Sequence, residues 1–227
     1  MRTLLFDIDG TLVNAGGAGA RAMRRALQEE FELDQPKLDI QFGGRTDRGL
    51  IAEILRSNRL PDDSEGQDRF QASYEKHLPR ELPGAGGRVL PGVEALLSQL
   101  SQLPSLRIAV MTGNLESMAV CKLQHFCLLH HVEWIVGGDH DHQRDDLARR
   151  AANKMVDRHG RDAVNDVVVI GDTPADIRCA DAIGAKSVAV CTGGWSSDQL
   201  RVHQPDEVFE DLGDVDTVVS TLTRGVP

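Results

Sequence analysis

Long hydrophobic runs, paired cysteines and aromatic residues are scarce in this chain. The four cysteines form no CxxC pair and have no metal-ligand spacing, so we expect reduced thiols without a chemical role. The longest apolar runs, such as 167–170, are far too short to cross a bilayer. No basic segment followed by a long apolar stretch resembles a secretory signal. We therefore expect a cytoplasmic protein without a membrane span.

Basic residues are also fewer than acidic residues. The chain has 25 Lys and Arg against 35 Asp and Glu, which gives a formal net charge of −10. Binding to a phosphate backbone requires a basic face, so we expect no nucleic-acid partner. A small anionic substrate remains compatible with this charge, because a bound divalent cation and a nearby Arg or Lys can invert the local field. The sequence leaves the oligomeric state open.

Apolar strand-like segments alternate with amphipathic helical patterns along most of the chain. Leu96, Leu97 and Leu100 fall on one helical face, and residues 145–159 form a second amphipathic stretch. Such alternation is typical of α/β proteins, so we predict a doubly wound, Rossmann-like parallel sheet. The predicted strands are 3–6, 107–111, 132–136, 167–170 and 187–190.

The interval between the first two predicted strands is too long for an ordinary crossover. It is rich in helical patterns, at 18–31, 47–58 and 68–77, and a glycine-rich hinge at 82–87 follows them. We therefore predict a small helical domain at 15–87, inserted into a core domain that comprises 1–14 and 88–227.

The most informative motif is DIDGTL, which directly follows the first predicted strand. Residues two apart in a strand point to the same side, so Asp7 and Asp9 should reach into one small volume. Their repulsion favours a hard divalent cation such as Mg²⁺, which can also hold a phosphate oxygen. An ordinary acidic turn is the alternative interpretation, because turns favour Asp and Gly for conformational reasons.

Polar residues follow two further strands. Thr112, Gly113 and Asn114 follow the second predicted strand, and a segment containing Asp172 and Asp176 follows the fourth. Ligands of α/β sheets bind at the carboxyl ends of the strands, so these groups should converge on one edge. Each motif also has a purely structural interpretation, as a turn for 112–114 and as a helix N-terminus for 172–176.

Together these motifs resemble the haloacid dehalogenase-like hydrolase superfamily over essentially the whole chain. The insert after the first strand resembles the helical cap of the phosphoglycolate phosphatase-like branch. The resemblance implies a Mg²⁺-dependent phosphatase that acts on a small phosphorylated metabolite, phosphoglycolate-like or a sugar phosphate, through a phospho-aspartate. A phosphosugar mutase similar to β-phosphoglucomutase is the second hypothesis, and a non-catalytic binding module on the same scaffold is the third.

The resemblance also implies a role for each motif residue. Asp7 would be the nucleophile, and Asp9 would protonate the leaving alcohol and then activate water. Thr112 and the amides of Gly113 or Asn114 would bind the phosphoryl oxygens. The implied Mg²⁺ ligands are the Asp7 carboxylate, the Asp9 backbone carbonyl and Asp172, and Asp176 would support the metal site from behind these ligands or through water.

The chain departs from the family at the catalytic cation, which is usually a Lys followed by Pro. No Lys-Pro pair is present. Lys154 lies roughly three turns inside the predicted helix, which should carry it away from the catalytic edge. Arg144, at the helix entrance, is better placed and can make the same charge-assisted contact. We favour Arg144, with Lys154 as the alternative.

Four other residues have two interpretations each. Arg45, in the glycine-rich loop of the insert, would contact the substrate or be solvated. His140 and His142 would bind a metal or belong to a solvated acidic loop, which we favour. Trp195 would line the mouth of the pocket or pack on the core domain.

Overall fold

The structure is a computed structural model and describes residues 1–226. Its strands are β1 (Arg2–Phe6), β2 (Val13–Asn14), β3 (Arg88–Val89), β4 (Leu106–Met111), β5 (Trp134–Val136), β6 (Val167–Gly171), β7 (Lys186–Val190) and β8 (Glu207–Phe209). Its α-helices are α1 (Ala18–Glu30), α2 (Asp47–Ser57), α3 (Ser64–Glu81), α4 (Val93–Ser101), α5 (Glu116–His125), α6 (Arg144–His159), α7 (Pro174–Ile183), α8 (Ser197–Arg201) and α9 (Val215–Thr223). Short 3₁₀ turns occupy Leu129–His131, Arg161–Val164 and Cys191–Gly193.

Six strands form one parallel sheet in the order β5-β4-β1-β6-β7-β8, which confirms the predicted fold class. All five predicted strands are present, and β8 is an additional edge strand. The predicted strand at 132–136 begins only at Trp134, because the Val132 amide donates to Leu129 in a 3₁₀ turn. In residues 1–226, no helix combines the length and the apolar character that a bilayer crossing needs.

The central strand β1 is buried on both faces, as expected for a sheet covered by helices on both sides. Leu4 and Phe6 pack with α4, α5 and α9 on one face, whereas Leu5 packs with α6 and α7 on the other. Because β1 pairs with both β4 and β6, the residues after Phe6 emerge at the middle of the carboxyl edge.

Helices α1, α2 and α3 lie between β2 and β3 and share one hydrophobic cluster that includes Met23, Ile51 and Phe70. The chain leaves through β2 and returns through β3, and these strands pair antiparallel, with Val13 opposite Val89. The segments through which the chain enters and leaves the helical insert therefore lie side by side. The division into two domains at these points stays a prediction.

Helix α3 is longer than the predicted segment at 68–77. It begins after Asp63, whose side chain accepts a 2.8 Å hydrogen bond from the Gly66 amide, and it continues through Pro79 to Glu81. The N-cap extends the start, because it satisfies an amide that has no partner within the helix. Pro79 stands in the last turn and does not end the helix.

Candidate active site

Asp7 and Asp9 lie at the carboxyl end of β1, where the chain turns sharply. The Asp7 amide still donates to Ile170 of β6 at 2.9 Å, so Asp7 is held by the sheet. Gly10 then adopts a φ of +83°, a conformation that favours glycine, and its amide donates to Val13 at 2.8 Å. The turn directs the buried Asp7 into the edge of the sheet and leaves the Asp9 side chain 42% exposed.

The Asp7 carboxylate is stabilised by the Ile8 amide, which donates to Oδ1 at 2.8 Å, and by Arg144, which donates to Oδ2 at 3.2 Å. Burial nevertheless raises the pKa of Asp7 from 3.8 to about 6, because desolvation exceeds the attraction to Arg144 and the charge of Asp176 adds repulsion. The site thus lacks sufficient positive charge for its carboxylates when no cation is bound.

Asp172 follows β6 and lies beside Asp7. Its Oδ1 accepts a 3.0 Å hydrogen bond from the Thr11 hydroxyl. Burial raises the pKa of Asp172 well above its ordinary value, and the neighbouring charges of Asp176 and Asp7 raise it further. Asp172 is therefore part of a shared negative cluster.

Asp176 both caps the start of a helix and lies beside the other acidic residues, so the two interpretations considered from the sequence hold together. Its Oδ2 accepts from the Thr173 amide at 3.0 Å and from the Thr173 hydroxyl at 2.7 Å, which completes a capping box at the start of α7. Its Oδ1 accepts a hydrogen bond from Arg144. Asp7, Asp172 and Asp176 each contribute one carboxylate oxygen to an acidic cluster. These three oxygens lie within 4.8 Å of one another.

Arg144 is the first residue of α6 and is almost completely buried. Burial lowers the pKa of its guanidinium, but attraction to Asp7 and Asp176 outweighs this effect and raises the pKa well above the ordinary value. Lys154 lies elsewhere, because its Nζ donates to the Ile135 carbonyl at 2.6 Å. Of the two candidate cations, the structure brings Arg144 and not Lys154 to Asp7.

The acidic cluster fits a divalent cation of the Mg²⁺ class. Three ionised carboxylates and one guanidinium leave two uncompensated negative charges, and hard oxygen donors are the ligands that Mg²⁺ prefers. A Cβ on Gly10 or Gly193 would collide with the Asp172 carboxyl, so glycines make room for this group. The Asp9 carboxylate is not part of the cluster; its predicted metal contact was the backbone carbonyl.

Lys122, on α5, holds the Asp9 carboxylate and was not identified from the sequence. Its Nζ lies 2.5 Å from Asp9 Oδ2 and 2.6 Å from Asn114 Oδ1, while Asn114 Nδ2 donates to the same Asp9 oxygen at 2.8 Å. Lys122 is buried between Ala119 and Leu123, on the side of α5 that packs inward. A lysine at an apolar position of an amphipathic helix is the signal that could have revealed it.

Thr112, Gly113 and Asn114 form the loop after β4. Asn114 Nδ2 also donates to the Thr112 hydroxyl at 2.8 Å, which ties the side chains of this loop together. Gly113 approaches the insert so closely that an added Cβ would overlap the Arg45 carbonyl. Its own carbonyl accepts a 2.6 Å hydrogen bond from the Asp47 amide. The loop therefore joins the phosphate-binding candidates to the insert.

Arg45 and Asp47 have different positions in the insert loop. The Arg45 guanidinium pairs with Glu53 at 2.6 Å, although the residue also lines the cavity described below. Asp47 is buried and its Oδ2 accepts a 2.9 Å hydrogen bond from the Leu115 amide. Burial raises the pKa of Asp47 from 3.8 to about 6, an effect that Lys122 opposes. The sequence did not distinguish Asp47 as a site residue.

A cavity of about 580 Å³ lies between the carboxyl edge of the sheet and the helical insert. Its lining includes every site residue predicted from the sequence except Asp176. Trp195 is not part of the lining and packs instead on the small cluster of Ile177, Ala189 and Leu200. His140 and His142 do not belong to the acidic cluster.

Comparison with known proteins agrees with this arrangement. A family model described as haloacid dehalogenase-like hydrolase matches residues 4–190. The phosphoglycolate phosphatase of Rhodospirillum rubrum is 30% identical over 225 residues, which cover 94% of this chain and 90% of that protein. A phosphoglycolate phosphatase of Cereibacter sphaeroides is 33% identical over 202 residues, with 86% and 87% covered. CbbY from Rhodobacter sphaeroides, solved in complex with phosphate, has the same fold at 16% identity, with a TM-score of 0.74 and 94% and 95% covered.

Proposed function

The chain belongs to the haloacid dehalogenase-like hydrolase family, in its phosphoglycolate phosphatase-like branch, and on this premise we propose that it hydrolyses a small phosphomonoester, phosphoglycolate-like or a sugar phosphate, with Mg²⁺ and through a phospho-aspartate on Asp7. The enzyme class expected from the motifs, a phosphatase, is confirmed. The observation that carries the proposed mechanism is the position of Asp7, which lines the cavity, accepts a hydrogen bond from Arg144 and lies in one cluster with the buried Asp172 and Asp176.

In the first proposed step, an Asp7 carboxylate oxygen forms a bond to phosphorus while the bond from phosphorus to the alcohol oxygen breaks. Asp9 gives its proton to the departing alcohol. The arrangement supports these roles because Asp7 is fixed by the Ile8 amide and Arg144, whereas the Asp9 carboxylate is turned toward Lys122 at the other side of the cavity.

In the second proposed step, Asp9 takes a proton from a water molecule, whose oxygen attacks phosphorus and releases the Asp7 carboxylate and inorganic phosphate. Arg144 remains in contact with the transferred group throughout, where its charge stabilises the phosphoryl oxygens. Thr112 and the backbone amides of Gly113 and Asn114 supply further donors. The chemistry thus divides between one carboxylate that forms the bond and one that moves the proton.

The proposed ligands for Mg²⁺ are Asp7, Asp172, Asp176 and the Asp9 backbone carbonyl. When bound, the ion offsets the negative charge of the carboxylates and of the phosphate. The buried cluster of three carboxylates and the space left by Gly10 and Gly193 support this assignment.

We also propose that 15–87 forms a cap domain on a core of 1–14 and 88–227, and that it closes over the substrate. The hydrophobic cluster shared by α1, α2 and α3, to which Leu115 and Met118 of the proposed core also belong, and the side-by-side strands β2 and β3 support this division. A closed cap would exclude bulk water from the phospho-aspartate. A cytoplasmic location is part of the proposal and agrees with four unpaired cysteines.

Phosphate release from a panel of phosphomonoesters, measured with Mg²⁺ and with EDTA, tests the proposed function. We expect release that requires Mg²⁺, with phosphoglycolate and small sugar and polyol phosphates in the panel. Asp7→Asn, which keeps the shape of the side chain, is the matched control and should release none. Isomerised sugar phosphate without net release would instead indicate a mutase, and equal release with EDTA would contradict the metal dependence.

A further inference from the structure

We propose that the leaving-group end of the cavity is specific for an uncharged alcohol that carries a hydroxyl group, and that it discriminates against a leaving group with a carboxylate. This inference rests on the proposed function, which it narrows to neutral phosphorylated alcohols such as polyol and sugar phosphates. It assigns specificity to two residues of the insert, Tyr74 and Asp47.

The leaving group must lie on the insert side of Asp9, because Asp9 protonates the alcohol oxygen and Asp7 holds the phosphorus on the other side. The cavity wall beyond Asp9 is contributed mainly by α1, α2, α3 and the loop before α2. Its apolar members include Met23, Phe42 and Leu50. This wall provides contact area for a carbon skeleton, and its cation Arg45 is paired with Glu53.

Tyr74 gives this wall a polar group. The residue is 1% exposed and lines the cavity. Burial raises the pKa of Tyr74 well above its ordinary value, and the nearby carboxylates of Asp47 and Asp9 raise it further. The phenol therefore stays neutral and can donate or accept one hydrogen bond. A phenol hydroxyl in the wall of a cavity can form a hydrogen bond with a polar group of the substrate.

The cations of the cavity are already engaged. Within residues 1–226 its lining contains three, of which Arg144 belongs to the phosphate end. Arg45 pairs with Glu53 at 2.6 Å, and Lys122 pairs with Asp9 at 2.5 Å. Asp47 adds a further carboxylate beside Lys122, whose charge acts on it. Each cation at this end therefore has a carboxylate partner even when Asp9 is protonated, because Lys122 also acts on Asp47 and Arg45 is paired with Glu53.

A substrate carboxylate placed here would lose part of its hydration and would find no cation without a carboxylate partner. A hydroxyl group in the same place can donate to Asp47 and accept from Tyr74. A site built to hydrogen-bond a hydroxyl discriminates strongly, because the wrong substrate leaves buried polar groups unpaired. The preference for neutral alcohols follows from both effects.

Two pairs of substrates that differ mainly in charge test the inference. Glycerol 3-phosphate is compared with 3-phosphoglycerate, and 2-hydroxyethyl phosphate is compared with phosphoglycolate. We expect kcat/KM to be about tenfold or more higher for the neutral member of each pair. A preference for the carboxylate member in both pairs would overturn the inference while leaving the phosphatase assignment intact.

Variants identify the residues responsible. Tyr74→Phe should reduce the ratio of kcat/KM between the neutral and carboxylate members about threefold to tenfold, because only the neutral member uses the phenol. Asp47→Asn, which can still accept from the Leu115 amide, should reduce the same ratio by improving the carboxylate member. Asp68→Asn on the outer surface of α3 makes the same chemical change outside the cavity and should leave the ratio unchanged. Equal losses for all substrates would show a merely structural role for Tyr74 and Asp47.

Binding to Asp7→Asn, measured by calorimetry with Mg²⁺ present, separates the inference from the proposed function. Tighter binding of the neutral member of each pair would support the inference even if wild-type protein released no phosphate, a result that would overturn the proposed function alone. Tighter binding of the carboxylate members would overturn the inference whatever the catalytic result.

Discussion

Lys122 Nζ lies 2.5 Å from Asp9 Oδ2, and this ion pair fixes the carboxylate that we propose as the general acid and base. The two residues are far apart in the sequence and meet because α5 follows β4 and lies beside β1. Asn114 contacts both of them and completes a triangle of side chains at the edge of the sheet.

We predict that Lys122→Met lowers kcat about tenfold to a hundredfold with a smaller effect on KM. The methionine keeps the length of the side chain but removes the ammonium group that positions Asp9, so part of the contribution of general acid and base catalysis, about a hundredfold to ten-thousandfold in rate, is lost. Steady-state kinetics on the best substrate measures the effect. Lys122→Arg should recover part of the lost kcat, and wild-type kcat in Lys122→Met would contradict the positioning role.

Arg144 and Lys154 provide a matched test of the catalytic cation. Arg144→Met should reduce kcat/KM about a hundredfold, because it removes the charge beside Asp7 and the phosphate. Lys154→Met should retain most of the activity, because Lys154 contacts the Ile135 carbonyl at 2.6 Å. The same assay measures both variants, and a larger loss in Lys154→Met than in Arg144→Met would reverse the assignment.

Asp47 predicts a pH dependence of stability. Its pKa is raised from 3.8 in an exposed carboxyl to about 6, so the folded state binds the proton more tightly than the unfolded state. This contribution is fully present below about pH 4 and is lost as the pH rises through about 6, a difference of about 3 kcal/mol. Asp47→Asn should remove it.

Urea unfolding of wild-type protein and Asp47→Asn at pH 4.5 and pH 7.5 checks this prediction. The variant should gain stability relative to wild type at the higher pH, because the asparagine carries no charge that burial could destabilise. The difference between the two proteins isolates Asp47 from the other carboxylates. A difference of the same size at both pH values would show that Asp47 does not titrate in this range.

Gly113 lies against the Arg45 carbonyl of the insert, so we predict that adding a single methyl group at Gly113 disturbs this contact. Gly113→Ala places a Cβ onto the Arg45 carbonyl, so we expect a loss of about 1–3 kcal/mol in stability and a reduced kcat. Gly43→Ala is the control, because a Cβ there has no neighbour within 4 Å. Thermal unfolding and kinetics of both variants measure the effect, and equal behaviour of the two would argue against this close approach.

The sequence predicted the positions that follow from strand order. Asp7, Thr112 and Asp172 each come directly after an apolar strand, so their convergence follows from the topology of a parallel sheet. Arg144 was predictable for a related reason, since it begins the helix that follows β5. Local chain direction is sufficient for all four residues.

Lys122, Asp47 and Tyr74 were not predictable in this way. Their importance depends on how α5 and the insert pack on the sheet, which brings side chains from distant segments to Asp9. Asp47 follows the N-cap residue Thr46, so its sequence position alone indicates only the start of a helix. A pattern within one element indicates which face is buried, but it does not indicate which neighbour that face will meet.

The central claim is that Asp7 carries the phosphoryl group, and acid quenching of the enzyme during turnover followed by peptide mass spectrometry tests it most directly. We predict that a substrate labelled in its phosphoryl group leaves one labelled phosphoryl group on the peptide that contains Asp7. This labelling should require Mg²⁺ and should disappear after an excess of unlabelled substrate is added. Asp7→Asn should carry no label and should release no phosphate. Mg²⁺-dependent phosphate release that persists in Asp7→Asn, or a phosphoryl group found on another residue, would contradict the claim.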